Sequence, residues 1–207
     1  MSRLTDDEEL TKAAYDEHAE VWAAKYQDDK FYADEYQKFH GYLPSGKVID
    51  IGAGSGRDAE ALTKLGYGYV GVDISTSLLE IAQKRVPGAK FINQSVYDLS
   101  FSEKFDGFWC TATLLHIPQS RIKEALEAIK SVLKPGAVGF ITIKDGHDYE
   151  VEEFEIEPGT TLKRFYQYWS REDFERVLLQ NGFEELEYKY RPVNPRQKWH
   201  YFFVKLK

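Results

Sequence analysis

The residue types that could do chemistry in this chain gather where short apolar runs end. Val48-Ile49-Asp50-Ile51 carries an acid and leads straight into the turn Gly52-Ala53-Gly54-Ser55-Gly56. Glycines let a backbone turn sharply and approach a ligand closely, because no Cβ intervenes. Gly54 to Ala59 fits the dinucleotide fingerprint G-x-G-x-x-G/A. In that reading a pyrophosphate sits at the N-terminus of a helix opening near Arg57. Asp50 opposes it, since a carboxylate beside a pyrophosphate costs Coulomb energy in a partly desolvated site. A phosphate-free ligand with an ammonium and a sulfonium suits Asp50 better, and S-adenosylmethionine is such a ligand. A tight turn with no ligand is the third alternative.

A second acid follows. Ala59 to Leu65 reads as a short helix stopped by Gly66, and Tyr69-Val70-Gly71-Val72-Asp73 as a buried strand ending in a carboxylate. Asp73 stands 17 residues after Gly56, close to where a nucleotide-binding α/β unit places an acid on the ribose hydroxyls. One carboxylate can accept from both hydroxyls. Helix capping is the competing use of Asp73, but Ser75 is the better cap for a helix reaching Arg85.

The elements that must position these groups alternate. Strands are expected at 47–51, 68–72, 89–93, 105–110 and 137–143, with helices at 57–65, 77–85 and 119–132 between them. That order implies a parallel sheet with right-handed crossovers. Residues 8–40 read as helical, and Ser170 reads as the N-cap of a helix to Gln180 that Gly182 closes. Residues 184–190 and 200–205 look like two strands with no helix between them, pairing as an antiparallel hairpin at the sheet edge. Ligands of open α/β sheets bind beyond the carboxyl ends of the strands. Asp50, Asp73, Ser95 and Thr111 all fall there, so one ligand could touch all four.

Val48 to Gly56, Gly71 to Ser75, Phe105 to Pro118 and Leu133-Lys134-Pro135-Gly136 together resemble the class I S-adenosylmethionine-dependent methyltransferases. The resemblance runs from about Tyr15 to the C-terminus. It implies a three-layer Rossmann-like α/β fold, with a mostly parallel seven-stranded sheet ending in an antiparallel C-terminal hairpin. It implies that Asp50 and the turn Gly52, Ala53, Gly54 and Gly56 hold the methionine end of S-adenosylmethionine, leaving S-adenosylhomocysteine as product. Asp73 would bind the ribose and Ile74 pack on the adenine. Ser95 stands where many relatives have an Asp that reads the adenine edge, and the Val96 N–H serves the ring nitrogen. In relatives a Tyr at the position of Tyr15 reaches over the cofactor.

The methyl acceptor's side is less marked. His116 has the ordinary pKa for proton transfer near neutrality, though it could equally only tie its loop. Cys110 reads as strand packing. Residues 144–169 form the expected substrate insert. There Tyr166, Tyr168 and Trp169 could stack on an acceptor or face the sulfonium, and Arg164 and Lys144 could hold an anionic one; core packing and solvated charge are the plain alternatives. Tyr15, Trp22 and Tyr26 are spaced seven and four apart, one helix face that is either core or lid.

The 207 residues, 43% hydrophobic, suit one structural unit: a helical cap at 1–40 and a main domain at 41–207 that carries the insert. The net charge of −7 argues against a broad polyanion-binding face. Lys189, Arg191, Arg196, Lys198, Lys205 and Lys207, interleaved with Tyr188, Tyr190, Trp199 and Tyr201, could make a small RNA-binding edge; lysines guarding an edge strand are the preferred reading. The single cysteine excludes an internal disulfide. No apolar run is long enough to span a membrane, and the first residues are too acidic for a signal peptide. The expectation is a cytoplasmic methyltransferase, monomer or homodimer, acting on an oxygen, nitrogen or sulfur of a small molecule, with no membrane partner and no metal ligands. A transfer-RNA methyltransferase, an NAD(P)-binding oxidoreductase and a non-catalytic cofactor-binding regulator stand as alternatives.

Overall fold

A computed structural model describes residues 3–26, 31–194 and 197–207. Five strands run parallel in the order their crossovers demand: β1 Lys47–Ile51, β2 Gly68–Asp73, β3 Lys90–Asn93, β4 Phe105–Thr111 and β5 Leu133–Lys144. β8 Phe183–Asn194 and β9 Gln197–Leu206 complete the seven-stranded sheet, whose order is β3-β2-β1-β4-β5-β9-β8. β9 is inserted between β5 and β8 and runs antiparallel to both. The expected fold class and hairpin are therefore present. The order reverses between β1 and β4, which opens a crevice at their carboxyl ends.

Strand parity divides the core in two. Ile49, Ile51, Phe108, Cys110, Ile141, Ile143, Phe202 and Val204 face α6 Ile122–Ser131 and α7 Arg171–Gln180. Val48, Tyr69, Trp109, Phe140, Tyr201 and Phe203 face α3 Ala33–Tyr42 and α4 Arg57–Lys64. Alternate side chains of a strand point to opposite faces, so strands apolar at every position need a helical layer on each side. α5 Thr76–Arg85 begins where expected, with Ser75 Oγ accepting the Leu78 N–H at 3.1 Å. Ser170 likewise caps α7.

The helical stretch at the N-terminus is divided into separate helices. α1 Asp6–Glu17 and α2 Ala19–Lys25 break at His18, residues 27–30 lie outside those described, and α3 belongs to the sheet's own layer. The insert, for which no strands were expected, contains two. β6 Tyr149–Glu157 and β7 Thr160–Gln167 pair as a separate two-stranded hairpin. The alternation in Val151-Glu152-Glu153-Phe154-Glu155-Ile156 is the signal that marks it. α1, α2, α5 and this hairpin share a third cluster of Ala14, Trp22, Leu78 and Leu162, with Phe154 packed against it.

Along the basic edge the rings differ in exposure: Tyr190 is 42% exposed with its hydroxyl on Asp145 at 2.9 Å. Tyr201 is fully buried, the Tyr188 hydroxyl contacts His200 Nδ1 at 2.8 Å, and Lys189 pairs with Glu35 at 2.6 Å. Lys189 and Arg191 do lie on the outermost strand; Arg196 lies outside the described residues.

Gly56 shows how tightly the layers close. It caps α4 with φ of 77°, and a Cβ there would meet Ala82 Cβ at 3.0 Å and Ala82 Cα at 3.1 Å. Gly56→Ala combines a left-handed residue with a backbone clash, so urea denaturation should show a loss of about 2 kcal/mol or more.

Candidate functional site

A cavity of about 640 Å³ opens at the carboxyl ends of β1, β2 and β4. Its floor is the glycine turn. The N–H groups of Gly52 and Ala53 both bond the Val72 carbonyl, at 2.8 and 3.0 Å, which staples the turn to β2. Gly54 has φ of 53° and open space where a Cβ would point, so backbone itself faces the cavity.

Asp73 lines the same floor with its carboxylate fixed. Oδ2 accepts the Gly54 N–H and Oδ1 the Ser75 N–H, each at 2.8 Å. Each oxygen keeps a lone pair for a further donor. Burial raises the Asp73 pKa, and the backbone N–H groups oppose that. Ile74, Ser95, Val96 and Thr111 complete this side of the wall. Ser95 Oγ accepts the Tyr97 N–H at 3.3 Å, and beside it Gln94 Oε1 is buried without a partner.

Two residues expected on the wall lie behind it. Gly56 faces α5, as described. Asp50 is 1% exposed and absent from the cavity lining; its Oδ2 accepts the Tyr69 hydroxyl at 2.7 Å and its Oδ1 has no partner. The pleat is the reason: Asp50 sits inside β1, one residue before its end, so its side chain enters a helix-covered face. Burial, then the charge of Asp58, pushes its pKa well above the carboxylate range.

Asp58 carries the charge instead, and sequence reasoning gave it no role. It takes hydrogen bonds from Arg57 Nε at 2.6 Å and Nη2 at 3.0 Å, the Tyr36 hydroxyl at 2.8 Å, and Trp109 Nε1 and Thr111 Oγ1 at 2.9 Å. Burial alone would raise its pKa, but Arg57 and these donors hold it below the usual range. Arg57, also on the wall, lies 4.9 Å from the Tyr32 ring centre. Acidic and basic neighbours opening an α4 with a buried face were the only signal for this pair.

The roof comes from distant segments. His116 Nδ1 is 2.7 Å from the Phe165 carbonyl, which can only accept, so Nδ1 carries the proton. Nε2 is then an acceptor, and the Tyr15 hydroxyl donates to it at 3.0 Å while receiving Arg164 Nη1 at 2.8 Å. Burial, then the Arg164 charge, pushes the His116 pKa down to about 3. The expected catalytic histidine does line the cavity, but it is a weak base whose lone pair is already engaged.

Arg164 and Tyr166, in phase on β7, line the roof with Lys144, Trp22 and Phe154. The Arg164 guanidinium lies 4.2 Å from the Trp22 ring centre and 4.4 Å from that of Phe154, with Glu152 at 3.9 Å from Nη2. Its Nε is buried without a partner. Lys144 Nζ stands 3.5 Å over the Tyr166 ring, and among the described residues no carboxylate pairs with it within 4.0 Å. Burial pushes its pKa down to about 8, with Arg164 adding to the shift and Glu152 and Glu150 opposing it. A cation–π contact returns only about 1–2 kcal/mol, which leaves a largely buried cation without a full counter-charge.

Two expected substrate residues are elsewhere. Trp169 is out of phase with Arg164 and Tyr166; its ring packs 5.4 Å from Phe174 in the core beneath α7. Tyr168 lies past the end of β7, off the lining, with its hydroxyl on Glu150 at 3.1 Å. Among the described residues no cluster of His, Cys, Asp or Glu could hold a metal.

Two outcomes follow from these environments. An NMR titration of the His116 ring should show no protonation between pH 5 and 8, because its pKa is pushed down to about 3. Asp50 binds its proton more tightly folded than unfolded. Its stabilising contribution is complete below the unfolded value of about 4 and fades as pH rises through the folded value. Asp50→Asn lacks that loss, so in paired denaturations the variant should gain on the native protein as pH rises above about 4.

Residues 48–136 match the family described as a methyltransferase domain. The chain is 27% identical over 177 residues to an uncharacterised protein of Methanocaldococcus jannaschii, covering 84% of this chain and 82% of that one. It is 30% identical over 106 residues to a ubiquinone biosynthesis O-methyltransferase of Xanthomonas campestris. That match covers 48% of this chain and only 44% of the relative's length. Among solved structures, the magnesium protoporphyrin IX methyltransferase of Synechocystis with bound S-adenosylmethionine superposes with a TM-score of 0.78 at 17% identity, over 100% of both chains. The Burkholderia thailandensis 1,6-didemethyltoxoflavin-N1-methyltransferase gives 0.77 at 16% identity, over 100% of this chain and 93% of that one. With the strand order, the glycine turn and Asp73 at the switch-point cavity, these matches show a methyltransferase domain at residues 48–136 and a fold shared with methyltransferases solved with S-adenosylmethionine or S-adenosylhomocysteine bound.

Proposed function

We propose that the protein transfers the methyl group of S-adenosylmethionine to an oxygen, nitrogen or sulfur atom of a small-molecule acceptor. The single observation that carries this reading is Asp73, a carboxylate clamped by two backbone N–H groups with its remaining lone pairs available at the cavity floor.

The residues present fit the donor. Gly52, Ala53 and Gly54 would lie along its methionine part, and Asp73 would accept from the two ribose hydroxyls. Ile74 would pack on the adenine, with the Val96 N–H and Ser95 along its edge. The unpartnered Gln94 Oε1 supplies an acceptor for the adenine amino group, the function that Ser95 cannot fill as a carboxylate would. Thr111 bounds the cavity at the end of β4, and Tyr15 closes it from above. When bound, the donor supplies an electrophilic methyl group whose sulfur leaves as the neutral thioether of S-adenosylhomocysteine.

The chain's own contribution is placement and exclusion of water. α1–α2 and the β6–β7 hairpin, the cap and the insert, would act as one roof, joined through the Phe165 N–H bond to Thr11 Oγ1 at 3.0 Å. Such enclosure favours in-line orientation, which can lower a barrier substantially. It also suits a small acceptor better than a folded RNA. The relatives named above for ubiquinone biosynthesis, toxoflavin and protoporphyrin act on small molecules, in keeping with this reading. His116 would orient Tyr15 rather than take a proton.

S-adenosylhomocysteine at one hundred times its Kd should stabilise the protein by about 2.7 kcal/mol, a Tm rise of roughly 5–10 °C. Asp73→Ala should abolish most of that rise. An undiminished rise in the variant overturns the ribose assignment, and a rise with NADH but not with S-adenosylhomocysteine overturns the donor.

A further inference from the structure

We infer that the methyl acceptor is an anion, an aromatic carboxylate whose charge is received by Lys144 and Arg164 at the roof of the cavity. The inference rests on the methyltransferase reading of the same site and adds the chemical class of its second substrate.

Two cations face this end of the cavity from adjacent elements, Lys144 from the end of β5 and Arg164 from β7. Both are enclosed, with 9% of Lys144 and 6% of Arg164 exposed. Buried charges are normally paired or fully hydrogen-bonded. Here the pairing is incomplete. The Lys144 ammonium has the Tyr166 face and no carboxylate within pairing distance among the described residues. Arg164 gives Nη1 to Tyr15 and has Glu152 only at 3.9 Å, while its Nε has no partner among the described residues. Glu152 acts on both cations, so one carboxylate is shared between two charges. Glu150, the other acid that acts on Lys144, has an oxygen engaged by the Tyr168 hydroxyl. His116, neutral in this environment, adds no negative charge.

The donor would add a third cation to the same space, its sulfonium. A neutral or cationic acceptor would leave these positive charges facing one another in a desolvated cavity. A carboxylate satisfies them together, accepting from the Lys144 ammonium and from the unpaired edge of Arg164. The rest of the acceptor then meets rings: Tyr15, Trp22, Phe154 and Tyr166 line this part of the wall. Flat apolar faces beside a paired cation site select a planar molecule with one charged edge.

The test uses the full chain saturated with S-adenosylhomocysteine, so that binding is read without turnover. 4-Hydroxybenzoate, 3,4-dihydroxybenzoate and indole-3-carboxylate are titrated calorimetrically beside their carboxamides, which keep the shape and lose the charge. At least one carboxylate should bind tenfold or more tightly than its carboxamide. Lys144→Met should remove that preference, Lys144→Arg should retain most of it, and both should bind S-adenosylhomocysteine within threefold of the native protein. If S-adenosylhomocysteine binds but no carboxylate does, if carboxamides bind equally well, or if Lys144→Met keeps the preference, the anionic acceptor is overturned. A Lys144→Met enzyme that loses turnover with carboxylate affinity intact makes Lys144 a proton acceptor instead. Failure of S-adenosylhomocysteine itself to bind strikes the methyltransferase reading, a separate outcome.

Discussion

The buried Arg57–Asp58 pair holds the cavity end of the sheet together. A glycine turn leaving β1 is a flexible connection, and its geometry survives only if the helix that follows is anchored. Asp58 provides the anchor by drawing donors from α3, α4 and β4 onto one carboxylate. With both oxygens saturated, the charge is stable in an interior that would otherwise expel it, and breaking such a pair costs about 3–5 kcal/mol. The neighbouring Asp50 shows the other solution to the same problem. With Tyr69 as its one donor among the described residues, it is driven toward the neutral form.

A second constraint governs the roof. α1 and the β6–β7 hairpin have no layer of their own and become ordered by packing on each other and on α5. Several polar ties fix them: Asp16 accepts from Ser75 Oγ at 2.6 Å, Glu8 pairs with Arg121 at 2.7 Å and accepts the Tyr97 hydroxyl, and Thr11 takes the Phe165 N–H. Asp16 also sits at the N-terminus of α5, where a carboxylate meets unpaired N–H groups and the positive end of the helix dipole. The same packing that covers the glycine turn and Asp73 also brings Lys144, Arg164 and Tyr166 to the roof, so one set of contacts encloses the whole cavity.

The parallel strands and their helices were legible in the sequence because each is a contiguous pattern: an apolar run, a glycine stop, a capping serine. Ser75 and Ser170 mark their helices through bonds only three residues long. The hairpin at 149–167 was not recognised, since its acidic alternation reads equally well as a solvated loop until a partner covers the apolar face. Asp50 was misplaced for a related reason. Chain position brings it near the strand end, whereas the pleat decides which face its side chain enters. Trp169 misled in the same way, one residue out of phase with the wall.

The sequence by itself determined the sheet, the glycine turn and Asp73. These are local, and short-range sterics and periodicity specify them. Tertiary structure alone decided the roof of the cavity. Tyr15 meets His116 across 101 residues and Arg164 across 149, and where the hairpin's acids come to rest decides that, among the described residues, no carboxylate forms an ion pair with Lys144. Charges so far apart in the chain acquire a shared environment only when packing removes the water between them.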